Sequence, residues 1–293
     1  MKLKLDITFN LDYSLGCGQV FRFKKQQDWW YGLFCDKIFK IRQTNNYLEY
    51  EGADTTFVKT FFNLNDDLPK ITQHINKDPY IGAAIKQFEG LRLVNQDPWE
   101  CLISYICATN KNIAAIEKTL FKLSQKYGEK RYFTNKNFWL FPSTEKLAQA
   151  SIQDLKTCGL GYRAKYVQAT AKQILDKQIK LEELKMLPYT EAKKRLLEFS
   201  GVGLKVADCV LLFSLQKTEA FPVDVWIKRI LLNHYTKHLP HNLVKHLKCQ
   251  DSLSNGEYEK LGLFGREYFG NYAGYAQEYL YHYERNKNNT TNM

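Results

Sequence analysis

The apolar residues of this chain change period once, near residue 78, and that change calls for two kinds of architecture in one polypeptide. From about residue 18 to 50 they alternate, in VFRFK, WWYGLF, KIFKIR and YLEY, with breaks at QQD and at Asn45 and Asn46. Such segments read as short antiparallel strands joined by turns. Beyond residue 78 apolar residues recur every three or four positions to the end, the spacing of helices that bury one face. The expectation is an α+β fold, with an N-terminal antiparallel-sheet domain over residues 1–88 and a large all-helical region over residues 89–293.

Helix starts can be placed from local chemistry. DPW at 97–99 offers an N-cap aspartate with proline at the first helical position, leading into the apolar run CLISYICA. A second helix follows from about Ile113, with Ile116, Leu120 and Leu123 on one face; later starts fall near Ser151, Tyr162, Thr190, Leu204 and Val223, and a last helix spans roughly Tyr272 to Glu284. No internal repeat is visible, which argues against a solenoid.

Several function classes are disfavoured. The first residues, MKLKLDITFN, lack the apolar segment of a secretory signal and no run approaches membrane-spanning length, so a soluble intracellular protein with no membrane partner is expected. The seven cysteines, at 17, 35, 101, 107, 158, 209 and 249, form no CxxC pair and fit a reducing compartment. His234 and His238 have the i,i+4 spacing of metal ligands, but only Cys249 stands near to complete a set, so no metal site is expected. A formal net charge of +11 suits a partner that is a polyanion, although lysine-rich proteins without such partners are common.

The stretch LEFSGVGLKVADCVLLF (197–213) is more specific. Gly201 and Gly203 let the backbone turn sharply between two helices and leave bare amides at the start of the second, where a phosphate can be held. A simple αα-turn and a helix-hairpin-helix that grips a DNA backbone both fit the hairpin, and on the hairpin alone the simple turn is favoured. Lys205 opens the second helix, and 19 residues later Pro222 and Asp224 start another in AFPVDVWIKRILLNHY. Singly, Lys205 reads as a solvated lysine and Asp224 as an N-cap.

Taken together, the hairpin, the lysine and the Pro-x-Asp resemble the helix-hairpin-helix superfamily of DNA glycosylases. The pieces GCGQVFRF, ISYICATNKNIA, GLGYRAKY, GVGLKVADC, PVDV and YAGYAQEYLY, spread from about residue 11 to 284, resemble the 8-oxoguanine DNA glycosylase/AP lyase family within it. The resemblance implies a catalytic pair. The neutral amine of Lys205 attacks C1′ of a flipped nucleotide, expels the base and leaves a Schiff base from which β-elimination cuts the strand. A helix N-terminus and desolvation favour the neutral amine. The Asp224 carboxylate stabilises the positive charge that develops on the sugar.

By the same resemblance Gly18 offers its carbonyl to the N7 hydrogen that 8-oxoguanine has and guanine lacks. Cys209, four residues after Lys205, forms one wall of the pocket, with Phe213 and Pro222 near it; Tyr281 stacks on the base and Gln277 bonds its Watson–Crick edge. Burial of Cys209 as a small apolar residue remains an equal reading. Asn110 fills the gap left in the duplex, Arg163 contacts the orphan cytosine and Tyr162 wedges beside it, while Gly201, Gly203 and Trp226 meet the DNA backbone. Loop capping by Asn110 and phosphate binding by Arg163 stay open.

The chain departs from the family pattern at three places: Ala115 stands where an arginine is usual, Trp226 where a histidine is, and Phe213 where a methionine is. The first predicts looser selection of the base opposite the lesion. No cysteine follows Cys249, against relatives that carry a C-terminal iron–sulfur cluster, and no metal or organic cofactor is expected. A monomer acting on double-stranded DNA containing an oxidised purine is expected, in the cytoplasm on chromosomal DNA or in the nucleus of a eukaryote; lysine and asparagine abundance points to a prokaryotic source. An alkyl-base glycosylase would keep Asp224 without needing Lys205, and a non-enzymatic hairpin module would need neither.

Overall fold

The computed structural model of the protein describes residues 1–34 and 36–290, so Cys35 lies outside it. Strands β1 (Lys2–Lys4), β2 (Lys24–Gln26), β3 (Trp29–Phe34), β4 (Lys37–Thr44) and β5 (Tyr47–Glu51) form one antiparallel sheet in the order β1-β5-β4-β3-β2. The expected breaks are turns, with Gln27 and Asn45 at positive φ. Alternation sends Phe39 and Ile41 of β4 and Leu48 and Tyr50 of β5 to one face. There they pack on Val58, Phe61 and Phe62 of α2 (Thr55–Phe61) and the residue after it. Gly32 of β3 is required: a Cβ there would stand 2.0 Å from the Phe23 ring.

VFRFK is only marginally strand. β2 begins at Lys24, and Val20, Phe21 and Phe23 are core-filling loop residues that follow α1 (Leu11–Gly16). The cause is Gln19, 1% exposed, whose side chain bonds the Ser14 and Arg92 carbonyls and the Val94 N–H, so this stretch pairs with residues 92–96 instead of with a strand. Cys17 and Phe21 thereby join the helical core, and Gly18 is carried with them to the active cleft described below.

Helix begins before residue 78, at α2 and at α3 (Leu68–Ile75), and α3 packs with α4 (Pro79–Gln87) in the helical core; the sheet core takes only residues up to Leu64, with Val94. Then come α5 (Pro98–Ala108) and α6 (Ile113–Tyr127). The Asp97 side chain caps α5 by accepting from the Glu100 N–H at 2.7 Å, as expected.

The region after residue 88 is not all helical. A two-stranded hairpin of β6 (Lys130–Phe133) and β7 (Lys136–Trp139) interrupts it, with Thr134 and Asn135 both at positive φ, the turn that two-residue hairpins favour. Phe138 stacks on Tyr31 and Trp139 meets Phe121 edge-on, which fastens the hairpin between β3 and α6. The remaining helices are α7 (Thr144–Gln149), α8 (Ile152–Thr157), α9 (Ala164–Asp176), α10 (Tyr189–Leu197), α11 (Leu204–Phe213), α12 (Val225–His234), α13 (His241–Lys248), α14 (Asn255–Phe269) and α15 (Ala273–Thr290). Among the described residues no helix is long and apolar enough to cross a membrane.

Candidate active site

The hairpin joins α10 to α11. Gly201 has φ +80, a conformation that disfavours a side chain, and a Cβ there would meet Tyr166 of α9 at 2.6 Å. Gly203 is exposed, is the N-cap of α11 and supplies no side-chain cap, so the first-turn amides face outward unsatisfied by it. Beneath the turn a buried carboxylate ties three helices. Asp208 of α11, 0% exposed, accepts from the hydroxyls of Tyr189 and Tyr258 at 2.7 Å each and from Lys193 Nζ at 3.2 Å. Burial pushes its acid up; Lys193 and the hydroxyls pull it down. These bonds fix α10, α11 and α14 as one body and hence the place of Lys205.

Lys205 lies in the first turn of α11 with its Nζ 5.1 Å from the centre of the Tyr105 ring. Phe213, two turns on, stacks on the same ring at 5.6 Å and 10°, and Cys209 lies between. Burial pushes the Cys209 thiol up to about 12, the nearby Lys205 charge opposing, so a neutral thiol lines the pocket. Asp224 is the N-cap of α12, and its Oδ1 accepts from the N–H groups of Trp226 (3.0 Å) and Ile227 (2.8 Å), which leaves Oδ2 uncommitted by the cap. Burial raises its acid, while the Ile227 N–H and the Lys205 charge lower it. Capping and proximity to Lys205 thus coexist.

α15 supplies the facing wall. One open cleft is lined by Gly18, Lys205, Cys209, Phe213, Pro222, Asp224, Gln277 and Tyr281, eight residues drawn from four separate stretches of chain. The Gln277 Oε1 is buried without a hydrogen-bond partner. Seven further lining residues escape the sequence reading, and three of them carry a polar group: Tyr105, hidden in an apolar run; Lys111, in a polar loop; and Glu278, an acid within YAQEYLY that is itself the available signal.

Glu278 is 2% exposed, and burial pushes its carboxyl up to about 7; the Cys17 contact and the Arg285 charge oppose this, and Asp224 adds to it. Since the folded value exceeds the ordinary 4.5, its contribution to stability is complete below that pH and is lost as pH rises through 7. Glu278→Gln should therefore match the native protein at pH 4 and exceed its stability by about 3 kcal/mol at pH 8. Thermal unfolding at the two pH values is the check; a gap that does not change with pH would exclude this ionisation as its source.

The six residues expected at DNA lie outside the cleft. Asn110 is exposed at φ +53 between α5 and α6, and Tyr162 is 50% exposed before α9. Arg163 is buried, its ring-facing guanidinium 4.4 Å from the centre of Tyr162, donating through Nε (2.9 Å) and Nη2 to the Thr109 carbonyl. Lys111 returns the tie, bonding the Gly159 carbonyl and Thr119 hydroxyl at 2.7 Å each. The two loops are thus cross-linked by two cations. Ala115 sits in the first turn of α6, its N–H held by Asn112. Trp226 is half-buried beside Asp224, with the exposed Arg229 guanidinium 5.0 Å from its ring. His234 stacks on Tyr80 and His238 on Phe264, and among the described residues no group of three or more metal-ligating side chains occurs.

Known proteins are similar to this chain in sequence and in fold. Residues 2–102 match the model of the 8-oxoguanine DNA glycosylase N-terminal domain, and residues 103–244 that of the HhH-GPD superfamily of base excision DNA repair proteins. The N-glycosylase/DNA lyase of Saccharomyces cerevisiae is 32% identical over 83% of this chain and 72% of its own. The N-glycosylase/DNA lyase OGG1 of Arabidopsis thaliana is 30% identical over 95% and 78%. The 8-oxoguanine glycosylase/lyase of Clostridium acetobutylicum, solved with double-stranded DNA containing cytosine opposite 8-oxoguanine, superposes with a TM-score of 0.85 at 30% identity over 98% of each chain. The two family-model matches, the sequence identity to the yeast and Arabidopsis proteins and a fold shared nearly end to end with the Clostridium protein make this chain, with its cleft holding Lys205 and Asp224 behind a glycine hairpin, a member of the 8-oxoguanine DNA glycosylase family.

Proposed function

We propose that the protein excises 8-oxoguanine from duplex DNA and then cuts the strand as an AP lyase. The observation that carries this is the convergence of Lys205 and Asp224 in one cleft with Gly18, Gln277 and Tyr281. The flipped base enters between Tyr281 and the Cys209 side, where Gly18 accepts its N7–H and the unpartnered Gln277 Oε1 takes donors of its Watson–Crick edge. The Lys205 lone pair forms a bond to C1′ as the C1′–N9 pair leaves with the base, which takes up a proton; Asp224 stabilises the charge on the sugar meanwhile. C1′ is then bonded to the Lys205 nitrogen and to O4′; the C1′–O4′ bond breaks as O4′ takes up a proton, leaving an imine, and loss of a C2′ proton expels the 3′ phosphate so that the strand is cut.

Asn110, Tyr162 and Arg163 attend to the orphan cytosine, and the amides around Gly201 and Gly203 to a phosphate, with Trp226 beside them. For Arg163 this requires exchanging the Thr109 carbonyl for the base. With Ala115 in place of an arginine, tolerance of other bases opposite the lesion follows. The protein works as a monomer on chromosomal DNA, in the cytoplasm or in a eukaryotic nucleus.

Borohydride trapping tests the reading. The native protein should give a covalent adduct with a duplex carrying 8-oxoguanine opposite cytosine and none with the undamaged duplex. Binding without an adduct would sink it and leave alkyl-base excision or plain DNA binding.

A further inference from the structure

We propose that Arg285, one turn beyond Tyr281 on α15, is the positioning residue that aims the Gly18 carbonyl at the lesion; the inference rests on the function proposed above. Glu278, Tyr281 and Arg285 follow one another at spacings of three and four, so they share one face of the helix. Arg285 Nη1 donates to the Cys17 carbonyl at 2.9 Å and lies 3.4 Å from the Tyr281 hydroxyl. The guanidinium carbon is 5.6 Å from the centre of the Tyr281 ring.

Gly18 needs such a device. At φ +108 it occupies a region that only glycine visits readily, and the freedom that admits the conformation also leaves the direction of its carbonyl loosely fixed. A discriminating acceptor must be held, because misplacing a single recognition group by an ångström erodes the preference it confers. On the C-terminal side Gln19 supplies a rigid anchor through its bonds to residues 14, 92 and 94, and its own carbonyl accepts from Gln96 at 2.8 Å. On the N-terminal side the Cys17–Gly18 peptide plane is held by Arg285. Gly18 therefore hangs between two fixed points, one built into the core and one supplied by α15.

The same guanidinium touches Tyr281, so the acceptor and the stacking wall are set relative to each other. Its position is further defined by Gly18 itself: a Cβ at that residue would stand 2.9 Å from Nη1 and 2.9 Å from Ile113. Glu278, buried against Cys17, backs the same segment from α15. Nothing in this set touches C1′ chemistry, and that separates its effect from that of Lys205.

The test compares native protein, Arg285→Gln and Arg285→Lys in single-turnover excision of 8-oxoguanine opposite cytosine and in lyase cleavage of a preformed abasic site, with thermal unfolding as a check on folding. An abasic site brings no base to Gly18. Arg285→Gln should slow excision by roughly tenfold or more and narrow the preference for 8-oxoguanine over guanine, with lyase cleavage within about twofold of native. Arg285→Lys should recover part of the loss, since it keeps the charge and one donor but not the planar fork; it carries the comparison if the glutamine variant does not fold. Native-like excision by both variants overturns the proposal, and so does an equal fall in both activities. Native protein that leaves 8-oxoguanine in place overturns the proposed function itself.

Discussion

Lys205→Gln is expected to abolish both the borohydride-trapped adduct and strand cleavage, a fall of about three orders of magnitude or more, as for removal of a nucleophile elsewhere. Among the described residues Lys205 makes no hydrogen bond or ion pair; its ammonium faces the Tyr105 ring at 5.1 Å. Glutamine is close in length and suits a helix interior, so α11 should keep its place, which the buried Asp208 bonds fix independently. Affinity for the lesion duplex should stay within a few fold. The measurement is trapping and gel-resolved cleavage beside a binding isotherm. A trapped adduct that survives the substitution would transfer the nucleophile to Lys111, the other lysine of the cleft, whose amine is engaged by Gly159 and Thr119.

What the sequence made legible was local. The Asp97 and Asp224 caps, the glycine turn before Lys205 and the strand breaks at Gln27 and Asn45 depend on a few adjacent residues, and each stands where the pattern put it. The β6–β7 hairpin escaped because its turn is Thr134–Asn135 and lacks the glycine that usually marks such turns. Tyr105 and Arg163 show the other limit. In ISYICATN the tyrosine is one more apolar residue, and only the packing of α5 against α11 makes it the ring under Lys205 and Phe213. Arg163 reads as a free cation in GLGYRAKY, yet folding brings the Thr109 carbonyl, 54 residues away, onto its guanidinium. Arg285 belongs to the same kind: its partner, Cys17, is 268 residues distant, and no periodicity along the chain carries that distance.

Asp224→Asn should separate function from stability, because the carboxylate both caps α12 and faces the reaction. Excision should fall by roughly 100-fold or more, because a fixed negative charge beside the developing positive sugar is replaced by a neutral amide in a setting where burial magnifies the difference. The cap should survive: asparagine accepts from first-turn N–H groups as well as aspartate does, so the bonds to Trp226 and Ile227 persist and α12 starts where it did. Stability should hold or rise at neutral pH, since burial already raises the Asp224 acid and its ionised form is the one the fold disfavours. The sign for activity is opposite. Native excision needs the ionised carboxylate and so should decline as pH falls through the raised value, and the variant's residual rate should lack that limb. Single-turnover rates and unfolding curves across the acid range measure both. Excision within about threefold of native in a folded variant would remove the carboxylate from the chemistry and leave Asp224 a cap alone.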